Sequence, residues 1–282
     1  MMPWQQHFIV QHQLPPNYVE DAQPICIWLR DLVKSAPQPL CIGINGAQGS
    51  GKSTLAAFLA VYLRSLGYTA RSVSLDDFYL SPAEREKVAN QHHPLFKTRG
   101  VPGTHNVAML QSILRDFKHQ KPITLPSFDK STDTPEPKHK WLKCEDKLEI
   151  LLLEGWCLGL SKEPDERLHR NVNDFERRQD SNGKFRTQVN QFLGGEYHSA
   201  FAGLDKLIYL NVESFERVFE WRLKQEQQLV TKAKVGMTKS QVYDFIQYFQ
   251  RLTEWGVESL PQRCDLHVKV RENHRFAVES LM

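Results

Sequence analysis

Cysteine is scarce in this chain: five residues in 282, an odd number, with no C-x-x-C pair among them. That spelling indicates neither a disulfide framework nor a zinc module, and it suits a reducing compartment. Long apolar runs are missing as well. None reaches the roughly 20 residues that a membrane-spanning helix needs, and residues 1–7 lack the basic stretch and apolar core of a secretory leader. The expectation is a cytoplasmic protein with no membrane partner. Charge of one sign is not in excess either, since 36 Lys and Arg stand against 33 Asp and Glu, a net +3. The basic residues are spread along the chain instead of gathered into a patch, so no nucleic-acid partner is expected. Small anionic ligands remain compatible. With 40% hydrophobic and 24% charged residues, and no internal repeat or low-complexity tract, the chain reads as one large globular domain with insertions.

What is present is sharper. Residues 40–44 form a buried-strand pattern that runs into Gly46, Ala47, Gln48, Gly49, Ser50, Gly51, Lys52, Ser53 and Thr54, a G-x-x-x-x-G-K-[ST] phosphate loop followed by a threonine. Glycines let successive backbone N–H groups turn inward around an anion, and the next helix points its positive end at the same place. Lys52 is placed to reach the β- and γ-phosphates of a nucleotide. The Ser53 hydroxyl is the oxygen ligand that Mg²⁺ prefers. The helix is legible in Leu55, Phe58, Leu59, Tyr62, Leu63 and Leu66, with Gly67 placed to end it.

Around this motif the chain alternates strands and helices. Residues 1–39 form a preface with one helix carrying Ile25, Leu29, Leu32 and Val33. Strands are expected at 72–75, 148–153 and 207–210, with a last one through Leu266, Val268 and Val270 closing the sheet. Helices are expected at 107–117, capped by Asn106, at 215–229, and after the Thr238–Gln241 capping box. Strands apolar on both faces and alternating with helices predict an α/β fold, a doubly wound, mainly parallel sheet covered on both sides. The domain built around the phosphate loop is expected to span residues 40–282. Its charged stretch 161–188, poor in apolar residues, reads as an inserted lid or mobile loop.

The strand ends decide between functions that a phosphate loop alone leaves open. Residues 72–75 lead into Asp76-Asp77-Phe78-Tyr79, at the carboxyl edge where open α/β sheets bind ligands. Residues 148–153 lead into Glu154-Gly155, an acid beside the Mg²⁺ position. The guanine-reading N-K-x-D is absent. Phosphoryl transfer needs phosphate positioning, a metal and a group that orients or deprotonates the acceptor. Lys52, Ser53, Glu154 and Asp76 supply that set, with Asp77 a candidate cap for the following turn.

These residues, together with Arg-Gly-Val-Pro-Gly-Thr-His at 99–105, Pro-Ser-Phe-Asp-Lys-Ser at 126–131 and Glu-Gly-Trp-Cys-Leu-Gly at 154–159, resemble the plant-type D-glycerate 3-kinase family and its uncharacterised bacterial and fungal P-loop kinase relatives. More distantly the order is similar to uridine kinase, phosphoribulokinase and pantothenate kinase. The resemblance implies a P-loop NTPase fold, with Asp76 as catalytic base, Glu154 as the metal-associated acid and Arg222 as a lid arginine facing the phosphates. It also implies a hydroxyl acceptor, with D-glycerate favoured over pantothenate or a nucleoside; a non-metabolic ATP-binding switch is the other class of function. A hydroxy acid calls for cations between the nucleotide motifs, and Lys97, Arg99, His105 and Lys130 lie there. With Asp76 and Tyr79, the last three of these form the expected acceptor site.

Overall fold

The computed structural model describes residues 1–144, 147–233 and 237–281. Two helices, α1 (Pro3–His12) and α2 (Tyr18–Ser35), precede β1 (Leu40–Gly46), α3 (Lys52–Ser65) and β2 (Ala70–Ser74). Then come α4 (Pro82–Gln91), α5 (Val107–Lys118), and four short strands, β3 (Ile123–Leu125), β4 (Phe128–Asp129), β5 (Thr134–Pro135) and β6 (Leu142–Cys144). The long strand β7 (Ile150–Gly155) is followed by α6 (Asp174–Gln179), α7 (Lys184–Phe192), α8 (His198–Phe201) and β8 (Lys206–Asn211). Helices α9 (Phe215–Ala233) and α10 (Lys239–Ser259) lead to β9 (Leu266–Val270) and β10 (Phe276–Leu281).

Six strands form the main sheet in the order β10-β9-β8-β1-β7-β2, parallel throughout except for β10. The strands are apolar on both faces because both faces are covered. In β1, Cys41 joins the core that holds α5, α7 and part of α10, while Ile42 and Ile44 join the opposite core against α3. The sheet is thus a P-loop α/β sheet with helices on both sides. Among the described residues, no helix is long and apolar enough to cross a membrane.

Several element boundaries differ from the sequence expectation. The strand expected at 72–75 runs from Ala70 to Ser74, and Leu75 opens a 3-10 turn through Phe78. Val270 does not close the sheet, because β10 adds an antiparallel edge strand. The preface carries two helices instead of one. The unexpected α1 has almost no one-sided apolar stripe, yet Trp4 and Phe8 pack on Phe58 of α3 at ring-centroid distances of 5.4 and 5.2 Å. Tyr18 of α2 reaches the same ring at 5.4 Å, and Arg275 pairs with Asp21 at 2.7 Å, tying the sheet edge to α2.

Residues 161–188 carry α6, the start of α7 and a buried polar network. Arg251 of α10 donates through Nε to Glu176 Oε1 at 2.6 Å, through Nη2 to Glu176 Oε2 at 2.8 Å, and through Nη1 to Glu163 Oε2 at 3.3 Å. All three side chains are buried. Such a network holds a segment with few apolar residues, since the buried charges pair with one another. Removing Arg251 leaves two buried carboxylates short of their shared cation. Arg251→Met is expected to lower unfolding free energy by about 3–5 kcal/mol, read from urea denaturation; a loss below about 1 kcal/mol would contradict a network that holds the segment.

Candidate active site

Gly46 ends β1 where there is no room for a side chain: an added Cβ would lie 2.5 Å from Ser50 Oγ and 3.1 Å from Leu210 Cβ. Gly49 and Gly51 have φ of +81° and +85°, the left-handed region that favours glycine. With these turns the loop closes, and α3 begins at Lys52. Gly46, Ala47 and Ser50 are buried behind the loop, whereas Gln48, Gly49, Gly51, Lys52, Ser53 and Thr54 line a cavity of about 640 Å³. The expected nucleotide residues therefore divide into a lining set and a supporting set.

The Ser53 hydroxyl donates to Glu154 Oε1 at 2.7 Å, and Glu154 is buried. Glu154 Oε2 has no hydrogen-bond partner among the described residues. A buried carboxylate oxygen with nothing to bind fits a hard cation or its water, beside a hydroxyl that could ligate the same ion. Among the described residues no group of three His, Cys, Asp or Glu could hold a metal alone. A cation at Ser53 and Glu154 would thus take its other ligands from phosphate and water, as Mg²⁺ does.

Asp76 lies in the turn after β2 and lines the same cavity, its side chain 22% exposed. Lys130 donates to its Oδ2 at 2.6 Å and the Tyr79 hydroxyl donates to its Oδ1 at 3.0 Å. Burial pushes the carboxyl's pKa up, but the ammonium groups of Lys130 and Lys52 outweigh it and hold the group below the ordinary carboxylate range. Asp77 behaves differently. Burial raises it to about 6, while its oxygens accept from Ser74 N at 3.2 Å and Phe128 N at 3.3 Å. It caps the turn and ties it to β4.

The remaining candidates are distributed unevenly. Arg99 and Lys130 reach the cavity, as do Tyr79 and Arg222, and so does Lys97, whose ammonium pairs with Glu86 at 2.7 Å. Arg222 pairs with Glu226 in its own helix and lies over the Phe245 ring at 5.7 Å. His105 does not line the cavity. It is buried behind Tyr79, stacked on that ring at 4.5 Å, with Nδ1 2.6 Å from the Tyr197 hydroxyl. Burial lowers the His105 pKa to about 4, so the ring is neutral at pH 7.

Three contributors carry no signal in the sequence. Arg85 of α4 is buried and binds Asp133 through Nη1 at 3.2 Å and through Nη2, and Asp133 accepts from Arg99 Nη1 at 2.5 Å. His274, in the turn between β9 and β10, has Nε2 3.0 Å from the Gly49 carbonyl and lies against Trp221 at 4.4 Å. Each of these pairs spans dozens to hundreds of residues, so no local spacing announces it.

No family model matches the chain. It is similar to the uncharacterized kinase mug58 of Schizosaccharomyces pombe, 32% identical over 225 residues, 77% of this chain and 80% of that protein. The probable ATP-dependent kinase TDA10 of Saccharomyces cerevisiae is 30% identical over 241 residues, 74% of each chain. The chloroplastic D-glycerate 3-kinase of Arabidopsis thaliana is 25% identical over 243 residues, 79% of this chain and 51% of that protein. In three dimensions the chain shares its fold with a D-glycerate 3-kinase from Cryptococcus neoformans var. grubii, with a TM-score of 0.77 and 23% identity over 92% of this chain and 99% of that one.

The charge around Asp76 is directly measurable. Removing a nearby cation destabilises the carboxylate, so its pKa must rise. In Lys130→Met the carbon-13 titration of the Asp76 carboxyl is expected to move up by about one pH unit or more. An unchanged titration would contradict the pairing.

Proposed function

The chain belongs to the P-loop kinase family that includes these two yeast kinases and D-glycerate 3-kinase, and from that premise we propose that it transfers the γ-phosphoryl group of ATP to a hydroxyl of a small hydroxy acid, D-glycerate above all. The observation that carries this reading is one cavity in which Lys52 and the phosphate loop face Asp76, with Lys130 and Arg99 beside it. Nucleotide and acceptor can meet there without a second pocket.

In this reading the phosphate loop and Lys52 hold the ATP phosphates, and Lys52 neutralises charge that builds on the transferred group. Ser53 and Glu154 would hold Mg²⁺, which supplies further neutralisation of the phosphate oxygens when bound. Arg99 and Lys130 bind the acceptor carboxylate. A guanidinium fork suits this task, because two parallel N–H groups fix the acid's orientation and leave its hydroxyl directed at Asp76. The acceptor oxygen forms a bond to the γ-phosphorus, the bond from that phosphorus to the bridging oxygen breaks, and ADP leaves. The hydroxyl proton passes to an Asp76 oxygen. Lys130 and Lys52 make Asp76 a weak base, so in this reading it orients the acceptor hydroxyl and takes its proton late, as bond formation to phosphorus makes that proton more acidic. Arg222, which lines the cavity from α9, would exchange its Glu226 partner for the phosphates. The five buried free thiols suit a reducing cytoplasm.

Purified protein offered D-glycerate, pantothenate and uridine with ATP is expected to phosphorylate glycerate. Transfer to uridine or pantothenate alone would overturn the acceptor. Asp76→Asn is expected to keep ATP affinity and to lose about two to four decades of kcat. An equal loss of ATP binding would remove Asp76 from the role of base.

A further inference from the structure

We propose that Asp133 sets the charge of the acceptor site, so that the site takes a hydroxy acid with one negative charge and rejects phosphate monoester dianions. This inference rests on the acceptor half of the cavity described above. Asp133 sits in the hairpin between β4 and β5, with a left-handed φ of +57°. The hairpin is fixed by Asp129, whose Oδ1 accepts from Ser131 N at 2.8 Å and Ser131 Oγ at 2.6 Å, and whose Oδ2 accepts from Thr132 Oγ1 at 2.9 Å. Asp133 thereby reaches into the cavity and meets both arginines.

The two arginines are used differently. Arg85 is 2% exposed, and its Nε and Nη1 also donate to the Lys97 carbonyl and the Leu80 carbonyl, each at 3.0 Å. These contacts hold its side chain in place with its charge beside the acceptor, and among the described residues Asp133 is the carboxylate that pairs with it. Arg99 is 31% exposed, lies over the Phe128 ring at 5.7 Å, and gives one contact to Asp133 and one to the Lys130 carbonyl at 3.4 Å. Lys130 gives one contact to Asp76. Both therefore keep donor capacity for a ligand.

Around the acceptor, the four cations Arg85, Lys97, Arg99 and Lys130 stand against the carboxylates Asp76 and Asp133 and the Glu86 carboxylate paired with Lys97, a surplus of one positive charge. A carboxylate matches that surplus. A phosphate monoester brings about −1.5 to −2 at pH 7 and exceeds it, next to two acidic side chains. Asp133 stays ionised at neutral pH: burial works against it, but the two guanidinium groups outweigh that and hold the carboxyl below its ordinary range. Replacing it by Asn removes a charge and preserves the shape.

The test is calorimetric, at pH 7.5, with a non-hydrolysable ATP analogue and Mg²⁺ saturating the nucleotide site and D-ribose 5-phosphate as the dianionic probe. Asp133→Asn is expected to bind the sugar phosphate at least tenfold more tightly than the unsubstituted protein, and Asp133→Glu, which keeps the charge, is expected to reject it as before. Asp133→Ser serves as a second neutral variant if Asn does not fold. Neutral variants with no gain would overturn the inference, and so would an equal gain in the Glu variant. Glycerate turnover by the unsubstituted protein is read separately. A gain without glycerate turnover removes glycerate and keeps the charge rule, whereas turnover without a gain does the reverse.

Discussion

The parallel pairing of β1 with β7, and of β7 with β2, is the constraint on which the site depends. Ile44 of β1 and Ser74 of β2 both lie opposite Glu154. Three strands therefore end at one edge of the sheet at nearly the same height, and their carboxyl ends bring distant parts of the chain together. After β1 comes the phosphate loop, after β2 the turn with Asp76, and Glu154 itself lies at the end of β7. A slip of one residue between β7 and β1 would turn Glu154 to the other face and separate it from Ser53. The two buried cores hold the register by burying alternate residues of each strand on opposite sides.

From that edge outward, the chemistry is one of charges kept in balance by partners. Glu154 is buried and accepts from the Ser53 hydroxyl. Asp76 stands between Lys52 at the start of α3 and Lys130 of the β4–β5 hairpin. Arg85 and Arg99 share Asp133. These charges are offset by neighbours from different parts of the chain, so the site forms only when the whole α/β layer is assembled.

Legibility in the sequence follows the range of the interactions. The phosphate loop is local: glycine spacing, a buried strand before and an amphipathic helix after fix nine residues without reference to the rest. The acids at the ends of β2 and β7 are legible because a parallel sheet gathers strand ends, which is a rule of topology. Arg85 and Asp133 are invisible, since a buried arginine on a polar ten-residue helix has the same spelling as a solvated one. Helix α1 is invisible for the opposite reason. It buries Phe8 and Ile9 without a repeating stripe, and only its docking on Phe58 makes it part of the core. Residues 161–188 read as an inserted lid or mobile loop because apolar periodicity is the signal that finds helices, and this segment is tied to α10 by paired charged side chains.

The central claim is that Asp76 faces the acceptor hydroxyl while Arg99 and Lys130 hold the acceptor's carboxylate. A crystal structure of the chain with a non-hydrolysable ATP analogue, Mg²⁺ and D-glycerate measures this directly. The account predicts a glycerate hydroxyl oxygen within about 2.6–3.2 Å of an Asp76 oxygen and the carboxylate on the Arg99 and Lys130 side chains. Glycerate bound with its hydroxyl turned away from Asp76, or its carboxylate held elsewhere, would contradict it.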